Sequence, residues 1–450
     1  MGLISGSSQQ QAAGRVRAAA EQVLRANWRA GHRASDGVEY AFTCPATPRY
    51  RHQWYWDSCF HAIAWRHIDP GRARDELRTL LRAGRLDGFI PHTAFWDRPA
   101  YWRRAPFYGT HTVFGCAATA TIQTPLLALA WELVAAASAD DPGFATEALP
   151  QLRLHYDWLA AHRDPDGDGL LTIIQPDESG LDDSPKYDDC YGWMRHDRPG
   201  HFWLIERYRR LSYDAATIAA RYEEHVEDVV VNVFYALSLR ALARLCALDP
   251  GTAVDGSVLV ERARQTERAL LERCHDPGSG LFFDLAGRSE RPLEVSTWSS
   301  LAPLALTEIP EDVRRRLVEE HLLDERRYRA PFGIPSVSME ESSFRPGFQI
   351  WRCWRGPSWM NTAWLLVPAM RELGYGTDAD RITESMLLAV DRHGLREYYN
   401  PLTGVGLAAR GFAFSALILD LLAGSEIGAQ SGNPGGEPAA SSAATRIMSA

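Results

Sequence analysis

The segment Gln175-Pro-Asp-Glu-Ser-Gly-Leu-Asp-Asp-Ser-Pro-Lys-Tyr-Asp188 is the densest acidic stretch of the chain. Asp177, Glu178, Asp182 and Asp183 fall within seven residues, and the flanking Pro and Gly place them on a loop, not a helix face. A second candidate is Glu397, in Arg396-Glu-Tyr-Tyr-Asn-Pro401. Under period-two alternation Glu397 shares a face with Tyr399, opposite Arg396 and Tyr398. Two carboxylates so far apart in sequence suit glycoside hydrolysis, in which one protonates the leaving oxygen and the other activates water or attacks directly. An acid that keeps its proton near neutral pH needs burial or a neighbouring carboxylate. Asp177, Glu178 and Asp183 are near enough to Asp182 to supply the second effect. Taken alone, the first segment also reads as a solvated acidic turn, and Glu397 as a surface glutamate paired with an arginine. Other chemistries have less support: the chain carries no G-x-S-x-G elbow, no P-loop, no G-x-G-x-x-G after a strand and no H-E-x-x-H.

Fifteen tryptophans are in excess, and several stand beside polar residues. Trp54 and Trp56 precede Asp57, while Trp351, Trp354 and Trp359 surround Arg352 and Arg355. Indole faces stack on sugar rings while adjacent polar groups bond hydroxyls; the alternative for each is ordinary core packing.

The elements that must hold these residues read as helices. Long apolar or amphipathic stretches cover residues 12–30, 115–138, 147–162, 229–248, 258–274, 310–322, 359–373, 378–393 and 411–422, with short strand signals at 280–285 and 394–399. Nearly all-apolar helices alternate with helices charged on one face, as expected when an inner ring is wrapped by an outer one. The expectation is an all-α chain with a disordered lead at 1–12, a single domain at 13–424 and a disordered tail at 425–450. A weak repeat, Asx-Pro…Gly-Leu, recurs at Asp164, Asp276 and Asn400 and marks equivalent turns between helix pairs. Asp164, Asp166, Asp168 and Gly169 fit the opening of a calcium loop, but Gln175 at its twelfth position lacks the bidentate carboxylate, so a tight polar turn is expected.

Composition narrows the function. The chain has 450 residues, 46% of them apolar, and 48 basic against 57 acidic side chains give a formal charge of −9. That charge argues against nucleic-acid binding. Seven scattered cysteines without a C-x-x-C pair indicate neither zinc nor a disulfide framework. No secretion signal and no bilayer-spanning segment are read, so a cytoplasmic enzyme on a small carbohydrate is expected, with no cofactor and no metal. A homo-oligomer is compatible with this reading.

At this point the residues carry a resemblance. Glu178-Ser-Gly-Leu-Asp182-Asp-Ser-Pro resembles the E-S-G-x-D-x-S/A signature of trehalases and of glycoside hydrolase family 63, which contains processing α-glucosidase. Glu397-Tyr-Tyr-Asn-Pro-Leu-Thr-Gly resembles the late E-Y-x-x-P-x-T-G motif of family 63. Gln53-Trp-Tyr-Trp-Asp-Ser58, Thr121-Ile-Gln-Thr-Pro125 and Trp354-Arg-Gly-Pro-Ser-Trp-Met-Asn361 are similar to three further family segments in the same order. The resemblance implies an (α/α)6 barrel and an inverting mechanism without metal, with Asp182 as general acid and Glu397 as general base. It implies that Asp57 contacts sugar hydroxyls and that Gln123, Trp354 and Trp359 line the pocket with Trp54 and Trp56. Short single-domain members resemble mannosylglycerate and glucosylglycerate hydrolases, whose small anionic substrate calls for a basic or hydroxyl-rich subsite. Tyr50, Tyr222, Arg352 and Arg355 are candidates for it, with salt bridging or helix packing as the alternative role. Cys353 stands where a larger aromatic is expected, a departure that bears on the aglycone subsite. The rivals are a trehalase or oligosaccharide α-glucosidase on the same fold, and a non-catalytic sugar-binding toroid. Residues 332–349, rich in Gly and Pro, are a candidate lid.

Overall fold

The computed structural model describes residues 6–34, 36–96, 117–192, 199–249, 251, 254–349 and 352–425. The first helix, Gly6–Asn27, starts inside the stretch expected to be disordered. Ala12 is buried and Gln9 donates to the Glu384 carboxylate, so tertiary contacts hold a segment whose composition alone would not fold. The tail from 426 lies outside the described residues, as do Cys116 and Trp351.

Helices dominate, as expected, and eleven short strands form four small antiparallel sheets among the described residues. β1 (Trp28–His32) pairs with β2 (Glu39–Thr43). β3 (Gln53–Trp54), β4 (Thr93–Phe95) and β5 (Ala117–Ala118) make a second sheet. β6 (Thr172–Ile173), β7 (Val226–Glu227), β8 (Leu285–Ala286) and β9 (Arg291–Pro292) make a third. β10 (Arg396–Tyr399) and β11 (Gly406–Arg410) make the last. Strands of two to five residues leave little sequence signal, and they brace the loops between helices.

Six apolar helical segments form the interior: Tyr55–Trp65, Leu127–Ala135, Val229–Cys246, Trp298–Ala305, Met360–Glu372 and Ala413–Leu417. Each packs on the next, and the last packs back on the first. Helices with a charged outer face lie against them, such as Pro70–Arg82 on Tyr55–Trp65, Gly256–Ala269 on Val229–Cys246 and Gly376–His393 on Met360–Glu372. Val229–Cys246 is apolar nearly all round because neighbours cover it, with Arg240 and Arg244 paired to Glu267 and Glu132; its first turn is capped by the Asp228 carboxylate, which accepts from Val231 N. By length and composition this helix is long enough to cross a membrane, contrary to the expectation that no segment is, but 83% of it is buried inside the protein.

In all three Asx turns the first side chain accepts from following amides, and the turns at Asp276 and Asn400 share the same pattern. Asp164 accepts from the amides of Gly167, Asp168 and Gly169, Asp276 from Gly278 and Ser279, and Asn400 from Leu402 and Thr403. The six described cysteines are free.

Phe234 sits in the middle of the interior, parallel to Trp364 at 6.5 Å and edge-on to Phe60 at 6.3 Å. Phe234→Ala is expected to cost about 3–5 kcal/mol through the cavity it opens. A fall in the denaturation midpoint, with an unchanged far-ultraviolet dichroism spectrum below the transition, would show it.

Candidate active site

The acidic loop leaves β6 and makes a 3-10 turn over Pro176–Ser179. Glu178 is fully buried, and both its oxygens are committed. Oε1 accepts from Ile122 N at 3.0 Å and Arg163 Nη2 at 2.6 Å; Oε2 accepts from Ile174 N at 2.8 Å and Arg163 Nη1 at 2.7 Å. The alternative of a solvated acidic turn is therefore excluded. Glu178 faces a guanidinium and is a poor source of the repulsion that would hold a proton on Asp182.

Gly180 ends the turn at φ +75°, where a Cβ would stand 2.4 Å from Cζ2 of Trp56. Only glycine lets the loop lie flat against that indole. Asp182 follows, half-buried on the cavity wall. Asp183 is buried and accepts from Cys353 N at 2.7 Å and Trp354 N at 3.0 Å, clamping the acidic loop to the Trp-Arg-Gly-Pro segment. That segment in turn bridges to β10, where Ser358 and Tyr399 exchange both backbone hydrogen bonds.

β10 carries Glu397 at a register shift between Arg396 and Tyr398, the kind of irregularity that re-aims a side chain. Glu397 Oε1 accepts from the Tyr50 hydroxyl at 3.1 Å, and Oε2 accepts from Ala409 N at 3.1 Å. Arg396 donates instead to the carbonyls of Ala408 and Ala409, so the surface-pair alternative fails as well. Burial raises the Glu397 carboxyl above its ordinary range, while the Ala409 amide, nearby Arg49 and the Tyr50 hydroxyl pull it down. Asp57, in the first turn of the Tyr55–Trp65 helix, is buried and pushed up to about 6. Gln123 Oε1 accepts from Trp56 N at 2.9 Å, so its amide caps the start of that helix and sets where Asp57 stands.

One cavity is lined by Asp182, Glu397, Asp57, Gln123, Tyr50, Trp54, Trp56, Trp354 and Trp359. The indoles form a continuous wall: Trp354 stacks on Trp359 at 3.9 Å and 8°, Trp56 lies 6.1 Å from Trp354, and Trp359 meets Tyr398 at 4.9 Å. Two candidates are elsewhere. Arg355 is held by two bonds to Asp188, at 3.0 and 2.5 Å, and Tyr222 lies beneath the Arg207 guanidinium at 3.9 Å, next to Tyr208. For both, the structural role wins over the subsite role. Arg352 does line the cavity.

Arg49, His92 and Phe414 also reach the cavity and were not anticipated. Arg49 neighbours Tyr50 in sequence and sits over its ring, a pairing that was legible. His92 is buried and lowered to about 4, hence neutral, and no sequence signal marks it. Of the candidate lid, Phe348 and Gln349 line the cavity, and Phe348 is exposed.

Comparison with known proteins gives the family of the chain. Residues 50–415 match the model of the mannosylglycerate hydrolase MGH1-like glycoside hydrolase domain. Mannosylglycerate hydrolase of Thermus thermophilus is 30% identical over 84% of this chain and 95% of its own. Glucosylglycerate hydrolase of Mycolicibacterium hassiacum is 27% identical over 84% of this chain and 94% of its own. The structure of a family 63 mannosylglycerate hydrolase from Thermus thermophilus, in complex with Tris and D-glycerate, superposes with a TM-score of 0.77 at 29% identity, covering 90% of this chain and 99% of that one. With both carboxylate motifs inside the matched span, the chain belongs to the mannosylglycerate hydrolase MGH1-like glycoside hydrolase family.

Proposed function

We propose that the chain is an inverting, exo-acting α-glycoside hydrolase that releases hexose from glucosylglycerate or mannosylglycerate. The observation that carries this reading is a single cavity lined by both Asp182 and Glu397, brought from separate motifs to an indole-walled pocket. The closed circuit of apolar helices, each backed by a charged-faced one, supports an (α/α)6 toroid built as one catalytic unit.

In this mechanism Asp182 gives its proton to the glycosidic oxygen as the bond to the anomeric carbon breaks. Glu397 takes a proton from the water that attacks the opposite face, so the hexose leaves with inverted configuration. Asp57 and Gln123 hold hydroxyls of the hexose, whose apolar face lies on the indoles. Among the described residues Arg49 and Arg352 are the cationic groups at the cavity, and they are assigned to the glycerate carboxylate. The relatives named for mannosylglycerate and glucosylglycerate, and the related structure holding D-glycerate, support that substrate class.

Incubation with glucosylglycerate, mannosylglycerate, trehalose and kojibiose, followed by NMR, tests the proposal. Early β-hexose from a glycerate conjugate is expected, with far less turnover when neutral glycerol replaces glycerate. Activity on neutral disaccharides alone would overturn the substrate, and early α-hexose the inversion. Asp182→Asn should lower kcat by about 10²–10⁴-fold, the range for a lost general acid. A folded variant with full activity would remove Asp182 from its role.

The pH dependence has a defined sign. Glu397 must be ionised to act as base, so kcat/KM should rise with pH along a limb set above the ordinary glutamate range. The Tyr50 hydroxyl stabilises the ionised form; Tyr50→Phe removes that bond and should move the limb to higher pH. A limb that stays in place in Tyr50→Phe would mean another group sets it.

A further inference from the structure

We infer that a hard divalent cation, calcium by its donor set, binds between the Asp164 turn and the β7–β9 sheet. Four carboxylates from three separate stretches converge there: Asp166 and Asp168 from the turn, Glu227 from β7, and Glu290 from the turn joining β8 to β9. One oxygen of each lies within 4.8 Å of the others. None of the four lines the catalytic cavity.

The second observation is Glu227 itself. Its side chain belongs to the cluster yet is only 5% exposed, and its Oε2 is buried without a hydrogen-bond partner. A carboxylate oxygen removed from water and left unmatched is costly, and a cation at the point where the four groups converge removes that cost. Arg273 is the basic group at hand. It pairs with Asp168 at 2.9 Å and with Glu290, and so does not answer Glu227. The donors are all carboxylate oxygens drawn from two turns and a strand, the hard ligand type that a flexible calcium site takes.

By itself the loop falls short of a calcium site, because Gln175 takes the twelfth place of the pattern. The fold answers that objection by supplying carboxylates from remote strands. Asp164, first in the pattern, is used instead to close the turn on Gly167, Asp168 and Gly169. The role is structural. β7 lies between β6, which leads into the acidic loop, and β8, and it is followed by Asp228, which caps the Val229–Cys246 helix.

The test uses the full chain, stripped with a chelator and dialysed. Titration with calcium chloride in a calorimeter should show one equivalent bound, and the thermal midpoint should rise with calcium concentration as mass action requires. Magnesium chloride is expected to give a smaller shift, and potassium chloride at equal ionic strength none. Glu227→Gln should abolish the calcium shift. If that buried variant does not fold, Glu290→Gln on the partly exposed turn should weaken calcium binding at least tenfold. No heat and no midpoint shift up to millimolar calcium would overturn the proposal, as would an unchanged calcium affinity in Glu290→Gln.

Discussion

The guanidinium of Arg163 and the carboxylate of Glu178 meet where both side chains are almost wholly buried. Moving two charges out of water is expensive, and the attraction between them offsets that cost only when the remaining donors and acceptors are also matched. Here they are, because the amides of Ile122 and Ile174 complete the carboxylate. Such a pair contributes little net stability over an apolar equivalent; what it does is specify position. Glu178 opens the motif that ends in Asp182, and Ile122 precedes Gln123, which caps the helix carrying Asp57. A shift of that carboxylate would move the acidic loop, the Gln123 turn and the start of the Tyr55–Trp65 helix relative to one another.

A second chain of contacts closes the site from the other side. Asp183 holds the amides of Cys353 and Trp354, the same segment reaches Ser358, and Ser358 pairs with Tyr399 beside Glu397. The two candidate catalytic carboxylates therefore belong to one bonded framework although they lie far apart in sequence. The framework works against stability at its centre. Glu397 and Asp57 are both raised by burial, so each favours the fold in its protonated form. That contribution is present below the ordinary carboxylate range and is lost as pH rises through the raised value, which is where a base begins to function.

Much of this was legible in the residues, and the failures have physical causes. The acidic loop, Glu397, Asp57 and the indoles were readable because short motifs keep unusual residue types together. The Tyr55–Trp65 helix was not read as one, since it is buried on every side and mixes Asp, Ser, Cys and His among aromatics, which removes the amphipathic period. Helix Pro70–Arg82 was also missed, although its Asp69 cap and the proline that follows are ordinary start signals. Arg355 lies within the Trp-Arg-Gly-Pro motif, but position in a motif does not say which way a long side chain turns, and its guanidinium goes to Asp188; Tyr222 lies in no motif and packs against Arg207. Glu178 was counted as a neighbour that would perturb Asp182; its partner Arg163 lies fifteen residues back at the end of a helix, a pairing that only the fold reveals.

The charge pattern of the cavity bears on how a substrate enters under the proposed reading. Asp57, Asp177, Asp182, Asp183 and Glu397 make the interior strongly acidic, and Asp183 is already engaged by two backbone amides. An anionic aglycone directed toward these groups would be repelled, and in a partly desolvated pocket that repulsion is larger than in water. Arg49 and Arg352 supply the compensating charge, and Arg352 lies directly beside Cys353, the position at which the chain departs from its family resemblance. A thiol there is smaller than an aromatic ring, and its sulfur lies 3.6 Å from the same Asp183 carboxylate that the Cys353 amide donates to. Under that reading the glycerate carboxylate is favoured only beside the two arginines, while the neutral hexose tolerates the acidic, indole-lined surface.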